Sequence, residues 1–327
     1  MKQVRLKGSS ISTSQVGFGC AGLTSLSGRR DCLRILECAY DYGVRHFDVA
    51  RLYGAGTAEG ILGEFARGRR DTVTMATKFG LNPPSLPNGL GRHVQTIKKM
   101  LKQLPALDRL VRRKVHERST GGNFGLEAAR SCLETSLREL RTDYLDIWLL
   151  HEATATDANN SDLLEFLIEQ QKRGVIRTFG IGSDINKIVT AENGFAEAHN
   201  VLQFENSIVN PNLAKLSNMV RRTFITHGAM KHFFSLRERL QFRPDLRSRF
   251  YDETGVELGR AENLAGLLLA WAIHDNPNGV VLFNSSSTKN IKNNIVTTDD
   301  NRFGAEVTSR FSQLLCETQI KGPQPYD

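Results

Sequence analysis

The sequence predicts an α/β fold in which eight parallel strands, each followed by a helix, close into one (β/α)8 TIM barrel. Short apolar runs alternate with amphipathic stretches along most of the 327 residues, and this alternation is typical of a parallel sheet. Eight such units are the number that closes a barrel. Several of the apolar runs end in a polar side chain, as expected where the carboxyl ends of barrel strands carry a site.

The composition supports a large apolar core, because 40% of the residues are hydrophobic and 24% are charged. No apolar run approaches the roughly 20 residues of a membrane span. The opening stretch, MKQVRLKGSSISTS, lacks the apolar segment of a secretory signal. The five cysteines are scattered, without a CxxC pair. We therefore expect one cytoplasmic domain over residues 1–327, with reduced thiols, no metal and no membrane partner.

The net charge of +8 is concentrated in one basic segment, Arg92–Arg118. Binding of nucleic acid, binding of an anionic ligand and an inert basic surface all remain open from charge alone. The segment lacks the interleaved aromatic side chains of a nucleic-acid surface, so we expect no nucleic-acid partner. A small molecule is the expected ligand, and the oligomeric state stays open.

The first part of the chain is expected to form a hairpin and the first three barrel units. The hairpin lies in Met1–Ser14, the strands at Val16–Phe18, His46–Ala50 and Asp71–Lys78, and the helices at Arg29–Tyr42 and Ala58–Ala66. Gly43 is a suitable C-cap for the first helix, and Thr57 is a suitable N-cap for the second. Residues 80–122 then interrupt the alternation, and we expect an insertion on the loop after the third strand, where barrels carry specificity.

Regular alternation resumes after this insertion. The expected strands are Tyr144–His151, Ile176–Ser183, Val201–Phe204, Thr223–Thr226 and Gly279–Phe283, and the expected helices are Leu126–Leu140, Ser161–Arg173, a short one near Ile185–Glu192, one after Pro211, Glu257–His274 and one from Thr288. A second irregular insertion, Gly228–Gly255, follows the seventh strand. We see no linker that would divide the chain into two domains.

A carboxylate, a phenol and an amine follow neighbouring strands, as Asp48, Tyr53 and Lys78. A free phenol has a pKa of about 10, which is too high for ready proton donation near neutral pH. A nearby ammonium group lowers that pKa, and Asp48 would hold Lys78 in place and keep it charged. Tyr53 could then give a proton to a carbonyl oxygen as hydride arrives at the carbon. Each residue alone is usually structural, but the joint placement at strand ends favours a proton-transfer site.

His151 ends the apolar strand YLDIWLLH. A lone histidine there is more often a satisfied core residue. At a barrel mouth beside an acidic tyrosine, a neutral imidazole could instead donate a hydrogen bond to a substrate carbonyl and orient it.

The run Gly17–Gly22 fits the G-x-G-x-x-G dinucleotide fingerprint, with Asp48 as a candidate ribose ligand. Two features count against a Rossmann fold. The residues before the run, Ser9–Gln15, are too polar for a central parallel strand. The next helix also begins only after TSLSG, so the third glycine does not lie at a helix N-terminus.

The loop after the last strand, FNSSSTKNIKNN, opens the last predicted helix. Its small hydroxyl residues leave backbone N–H groups free, and Thr288 could cap the helix. Such a loop suits a phosphate group, although an ordinary capped polar loop explains the same residues.

With these residues in view, the sequence resembles the aldo-keto reductase family over nearly its whole length. The matching motifs are FDVARLYGAGTAEGILGE, TKFG, DYLDIWLLHE, GIGSDI, VLQFEN, LAGLLLAWAI and SSSTKNIKNN. The resemblance implies that Asp48, Tyr53, Lys78 and His151 form a catalytic tetrad. It also implies NADP(H) or NAD(H) bound across the carboxyl-end mouth without a Rossmann domain.

The same resemblance implies a set of cofactor contacts. These are Ser183, Asp184, Gln203 and His227 around the nicotinamide, and Asn284, Ser285, Ser286, Ser287, Lys289, Asn290 and Asn294 around the adenosine phosphate. The family usually has asparagine where this chain has Asp184. The phosphate loop offers only Lys289 and Lys292 as cations, so NADP and NAD both stay open.

The leading functional hypothesis is an NAD(P)-dependent carbonyl reductase or alcohol dehydrogenase. The alternatives are an NAD-dependent sugar or polyol dehydrogenase and a cofactor-binding regulatory subunit without turnover. Candidate walls of the substrate pocket are Phe18, Cys20, Leu52 and Trp148. The sequence does not identify the substrate.

Overall fold

The structure, a computed structural model, describes residues 1–26, 28–81, 83, 122–190, 196–216, 221–298 and 300–318. The predicted basic segment Arg92–Arg118 and most of the insertion around it lie outside the described residues, as does the tail from residue 319.

Ten strands are present in the described part of the chain. They are β1 (Gln3–Arg5), β2 (Ser12–Ser14), β3 (Val16–Gly19), β4 (His46–Asp48), β5 (Thr74–Phe79), β6 (Leu145–His151), β7 (Ile176–Gly182), β8 (Val201–Glu205), β9 (Thr223–His227) and β10 (Val280–Phe283). Strands β3 to β10 form a closed barrel in chain order, with β10 returning to β3, and every pair in it is parallel. The predicted (β/α)8 barrel is confirmed, and so is the N-terminal hairpin, in which β1 and β2 pair antiparallel.

Eleven α-helices accompany these strands in the described residues. They are α1 (Arg29–Asp41), α2 (Ala58–Phe65), α3 (Leu126–Leu140), α4 (Ala155–Ala158), α5 (Ser161–Lys172), α6 (Ile185–Thr190), α7 (Phe233–Gln241), α8 (Pro244–Thr254), α9 (Ala261–Asp275), α10 (Thr288–Thr298) and α11 (Ala305–Glu317). Short 3₁₀ turns lie at Cys20–Ser25, Tyr53–Gly56, Arg70–Thr72, Leu213–Leu216 and Asn301–Phe303. None of the described helices is long and apolar enough to cross a bilayer.

Side chains of each barrel strand alternate between the interior and the surrounding helices, because a strand has a period of two. Ile147 and Leu149 of β6 pack in an interior cluster with Leu6 and Ile11 of the hairpin. Trp148, between them, packs in the larger cluster that joins the sheet to the helices. The hairpin also contacts Pro277 through Lys2, just before β10. It therefore closes the amino end of the barrel, and the carboxyl end is left for a site.

The structure corrects several details of the sequence-based prediction. The region Gly228–Gly255 is not irregular, because Leu236 and Leu240 bury one face of α7, and Leu246 and Phe250 bury one face of α8. The segment after Pro211 forms a short 3₁₀ turn in the described residues. The helix α11, which had not been predicted, packs through Phe311, Leu314 and Leu315.

Neither predicted threonine cap is used as a cap. Thr57 precedes α2 without a side-chain cap bond, and its hydroxyl instead donates to the carbonyl of Gly54. Thr288 is the first residue of α10, so the position before it belongs to Ser287, whose hydroxyl accepts from the Asn290 N–H at 3.4 Å.

The glycine run that resembled a dinucleotide fingerprint lies in and after the first barrel strand. A Cβ at Gly17 would lie 2.7 Å from Leu282 Cδ2 and 2.8 Å from His46 Cδ2. Gly17 thus makes room for neighbouring interior side chains. The closed barrel gives no open doubly wound sheet, so the Rossmann alternative is ruled out.

Candidate active site

A buried ion pair lies at the carboxyl end of the barrel. Lys78 Nζ donates to Asp48 Oδ1 at 2.6 Å and to the carbonyl of Val49 at 3.2 Å. The amide of Gln203 donates from Nε2 to Asp48 Oδ2 at 2.8 Å. All three side chains are at least 96% buried. Both carboxylate oxygens of Asp48 therefore have partners, as a buried carboxylate requires.

Tyr53 reaches this pair because β4 is followed at once by a tight turn. The Tyr53 N–H donates to the carbonyl of Ala50 at 2.9 Å. Gly54 and Gly56 continue the turn with φ of +68° and +91°, which other residues rarely adopt. The Lys78 ammonium lies 5.2 Å from the centroid of the Tyr53 ring. The turn thus brings the phenol to the mouth beside the ion pair.

His151, the last residue of β6, lies beside the phenol. Its ring and that of Tyr53 are perpendicular, with centroids 6.2 Å apart. Its buried Nδ1 has no hydrogen-bond partner among the described residues. The four side chains expected at the site, Asp48, Tyr53, Lys78 and His151, therefore line one cavity of about 390 Å³.

Burial controls the charge states at this site. Burial raises the pKa of Tyr53, and this effect outweighs the opposing influence of the Lys78 ammonium. Burial also works against the charge of Lys78, but the attraction of Asp48 and Tyr53 is stronger and raises its pKa. The expectation of a lowered tyrosine pKa was wrong: Lys78 acts in the expected direction, but the loss of solvation is larger.

His151 is neutral over the physiological range. Burial and the neighbouring Lys78 ammonium lower its pKa to about 3. A neutral imidazole can donate one hydrogen bond and accept one, which suits it to hold a polar group rather than to supply a charge.

The predicted cofactor residues divide into two groups. Ser183, Gln203, His227 and Asn284 line the cavity. Asp184 does not, because its Oδ1 accepts from the Asn186 N–H at 2.8 Å at the start of α6. The remaining predicted residues lie in the turn before α10 and on that helix: Ser285, Ser286, Ser287, Lys289, Asn290 and Asn294. Lys289 and Asn290 are exposed there, and Asn294 is buried.

The four predicted substrate-pocket residues, Phe18, Cys20, Leu52 and Trp148, do not line the cavity that the described residues form. Trp148 is fully buried and stacks on Phe79 with ring centroids 4.1 Å apart. Phe18 packs edge-on against Phe283 outside the barrel. The strand positions of Phe18 and Trp148 have the opposite parity to the interior residues, which accounts for their placement, whereas Cys20 and Leu52 lie in turns after β3 and β4.

Three charged residues on the cavity wall were missed from the sequence. They are Glu152, Glu205 and Lys231. Lys231 pairs with Glu205 at 2.6 Å, and Lys187 pairs with Glu152 at 3.0 Å. Glu205 lies two positions after Gln203 on β8, so the period of two could have placed it on the same interior face.

Comparisons with known proteins agree on one family. The model of the Aldo/keto reductase family matches residues 15–315. The chain is 28% identical over 185 residues to "Uncharacterized oxidoreductase YqkF" of Bacillus subtilis, covering 56% of this chain and 49% of that protein. It is 27% identical over 185 residues to D-threo-aldose 1-dehydrogenase of Pseudomonas sp, covering 54% of this chain and 51% of that protein. The chain thus spans about half the length of these two relatives.

A solved structure has the same fold over nearly the whole chain. The aldo-keto reductase from Klebsiella pneumoniae in complex with NADPH superposes with a TM-score of 0.67. The match covers 99% of this chain and 96% of that one, at 21% sequence identity.

Proposed function

The chain belongs to the aldo/keto reductase family, and on this premise we propose that it is an NAD(P)-dependent oxidoreductase acting on a carbonyl or alcohol. NADP(H) or NAD(H) supplies or accepts the hydride at the substrate carbon. In the direction of reduction, Tyr53 gives its hydroxyl proton to the substrate oxygen. In the direction of oxidation, its phenolate takes that proton back.

The observation that carries this proposal is the convergence of four groups on one cavity. Asp48, Tyr53, Lys78 and His151 come from three strands and one turn, and all line the same space. A structural role explains an isolated buried ion pair. It does not explain a phenol and a neutral imidazole added to that pair at an open mouth.

Tyr53 is suited to donate a proton because it stays protonated in its buried position. Burial raises its pKa, so the phenol form dominates at neutral pH. As the proton leaves, the phenolate forms beside the buried Lys78 ammonium, which stabilises the new charge. Asp48 keeps that ammonium in place at 2.6 Å.

His151 is suited to position the substrate oxygen. A pKa of about 3 keeps its imidazole neutral, so it does not compete with Tyr53 as an acid. Its ring stands perpendicular to that of Tyr53, 6.2 Å away. A neutral N–H beside the phenol can donate to the same oxygen that receives the proton.

The residues present fit a nicotinamide. Ser183 and Gln203 line the cavity and offer a hydroxyl and an amide oxygen to a carboxamide. The relative crystallised with NADPH supports this class of cofactor.

A sugar or polyol dehydrogenase is the second candidate within the same chemistry. The cavity wall includes Glu152, Glu205 and Lys231, which are groups that hydrogen-bond hydroxyls. The similarity to a D-threo-aldose 1-dehydrogenase favours the same substrate class. An apolar aldehyde would make no use of these hydrogen-bonding groups.

A substrate panel tests the proposal. Aldehydes and ketones with NADPH or NADH, and sugars and polyols with NADP⁺ or NAD⁺, should give turnover that Tyr53→Phe lacks. Selective turnover of hydroxylated substrates would favour the second candidate. Tight cofactor binding without turnover on any member of the panel would contradict the proposed function.

A further inference from the structure

Glu152 has an unusual backbone for its residue type. Its φ is +61°, in the left-handed region that favours glycine. Among the described residues, one other non-glycine residue has a positive φ, Arg141 at +55°. Arg141 is the C-cap of α3, where a left-handed residue commonly ends a helix. Glu152 follows a strand, so no helix end accounts for its conformation.

The ion pair of Glu152 does not account for this conformation either. Lys187 Nζ contacts Glu152 Oε2 at 3.0 Å, but the two side chains are 44% and 40% exposed. Exposed pairs of this kind add little to stability. Residues held in sparsely populated backbone regions concentrate at ligand sites. Glu152 directly follows His151 and lines the cavity, which indicates such a role.

The carboxylate has capacity to accept a further hydrogen bond. Its contacts with Lys187 and with the Ser183 hydroxyl, the latter at 3.4 Å, are both made by Oε2. No contact occupies Oε1 among the described residues. A carboxylate only accepts hydrogen bonds, so a ligand that binds Oε1 must present an N–H or O–H donor.

The polar groups beside Glu152 indicate that this donor belongs to a carboxamide. A carboxamide needs one donor for its oxygen and two acceptors for its NH2 group. The Ser183 hydroxyl can supply the donor if its one proton turns away from Glu152 and Ala153, both 3.4 Å away. Gln203 uses Nε2 on Asp48, so only its Oε1 remains to accept. Asp184, expected near the nicotinamide, instead accepts from the Asn186 N–H and does not line the cavity.

We propose that Glu152 accepts a hydrogen bond from the nicotinamide carboxamide NH2 group and so determines how tightly this chain holds its cofactor. The inference rests on the proposed function, since it requires a nicotinamide in the cavity. Glu152 thereby supplies the second acceptor for the NH2 group, in addition to the oxygen of Gln203, while the Ser183 hydroxyl donates to the carboxamide oxygen. The left-handed backbone places its carboxylate beside the Ser183 hydroxyl, at the carboxyl ends of β6 and β7.

The experiment compares two dinucleotides on the full-length protein by titration calorimetry. One is the oxidised dinucleotide, NADP⁺ or NAD⁺, that the wild type binds more tightly. The other is its 3-acetylpyridine analogue, in which a methyl group replaces the carboxamide NH2. Glu152→Ala should weaken binding of the natural dinucleotide by about tenfold and that of the analogue by less than about twofold. Glu152→Gln, which keeps an acceptor oxygen, should recover most of the natural affinity.

Glu152→Gly separates binding from backbone strain. It should lose affinity for the natural dinucleotide as Glu152→Ala does, yet its thermal midpoint should be higher than that of Glu152→Ala, because glycine adopts a positive φ freely. Arg141→Gly is the matched control, since it relieves the other positive φ far from the cavity and should leave both affinities unchanged.

Three outcomes would overturn the inference. Equal losses for both dinucleotides in Glu152→Ala would mean that the NH2 group is not recognised. Unchanged affinities, with a raised KM for hydroxylated aldehydes alone, would assign Glu152 to the substrate instead. In both cases the proposed function stands. Failure of the wild type to bind any nicotinamide dinucleotide would overturn the proposed function as well.

Discussion

Gln203 donates a hydrogen bond of 2.8 Å from Nε2 to Oδ2 of Asp48, across 155 positions of the chain. The other oxygen of Asp48 accepts from Lys78. The glutamine therefore supports the ion pair as well as lining the cavity. Its amide is fixed in one orientation by Asp48, which leaves its oxygen for a ligand.

The Asp48–Lys78 pair should be required for both stability and turnover. Lys78→Met would leave the carboxylate buried without its cation, and we expect a loss of about 3–5 kcal/mol in the free energy of unfolding. Turnover should also disappear, because no ammonium would stabilise the Tyr53 phenolate. Urea denaturation and steady-state rates measure the two effects.

The double variant Asp48→Asn Lys78→Met serves as the control for this pair. Removing both charges should recover most of the lost stability and none of the activity. A double variant as unstable as Lys78→Met alone would show that the uncompensated charge is not the cause.

Asp146 should be a strong determinant of stability away from the site. It is 99% buried on a side-chain basis, contacts Arg70 at 2.8 Å and Arg177 at 2.7 Å, and accepts from the Met75 N–H. Asp146→Ala leaves the Met75 N–H without an acceptor and removes the carboxylate from two arginines, so we expect a loss of about 3–5 kcal/mol in unfolding free energy. Asp245→Ala, which removes the exposed partner of Arg243, should leave the urea midpoint almost unchanged. Similar urea midpoints for the two variants would contradict the claim that Asp146 is a strong determinant of stability.

Stability should fall as the pH is lowered from 7 to 4. Burial lowers the pKa of His46 and of His199 to about 4, and burial with Lys78 lowers the pKa of His151 to about 3. Between these values and about 6.5, the unfolded chain binds more protons than the folded one, so stability rises with pH through this window. Each group adds up to ~1.4 kcal/mol per pH unit.

Urea midpoints at pH 7, 5.5 and 4.5 measure this slope. His199→Gln is the test variant, because Nε2 of glutamine can replace the ring nitrogen that lies 3.0 Å from the Ala158 carbonyl. In this variant, the change of stability with pH should decrease by the contribution of a single histidine. An unchanged slope would mean that His199 is not among the groups responsible.

The pH dependence of turnover should reflect Tyr53 and not His151. The raised pKa of Tyr53 keeps the proton donor present, so the rate of reduction should stay level from about pH 6 to 9 and fall only above the ordinary phenol value of about 10. The rate of oxidation, which needs the phenolate, should rise with pH over the same range. A decline of reduction above about pH 6.5 would instead identify a histidine as the acid.

The barrel and the four converging groups could be predicted from sequence for a simple physical reason. Parallel strands that close in chain order bring their carboxyl ends to one rim, so polar residues at those ends must meet. The helix α3 was predicted at Leu126–Leu140 and has those bounds, because its buried face recurs at helical spacing and glycine precedes it.

Other features depend on the folded arrangement of the chain, which short sequence patterns do not reveal. The bond from Gln203 to Asp48 joins distant strands and needs the register of the whole barrel. The left-handed backbone of Glu152 has no sequence signal, because glutamate gives no hint of a positive φ. The position of Trp148 could have been found, since it is one residue out of phase with His151 and Leu149 on β6.

The most direct test of the proposed chemistry is Tyr53→Phe, assayed in parallel for cofactor affinity by fluorescence titration and for turnover on the best substrate. The variant removes one hydroxyl and keeps the ring that faces Lys78 and His151. We predict an unchanged dissociation constant for NAD(P)H, within about twofold, and a turnover at least about 1,000-fold lower. Turnover close to that of the wild type would show that Tyr53 does not carry the proton.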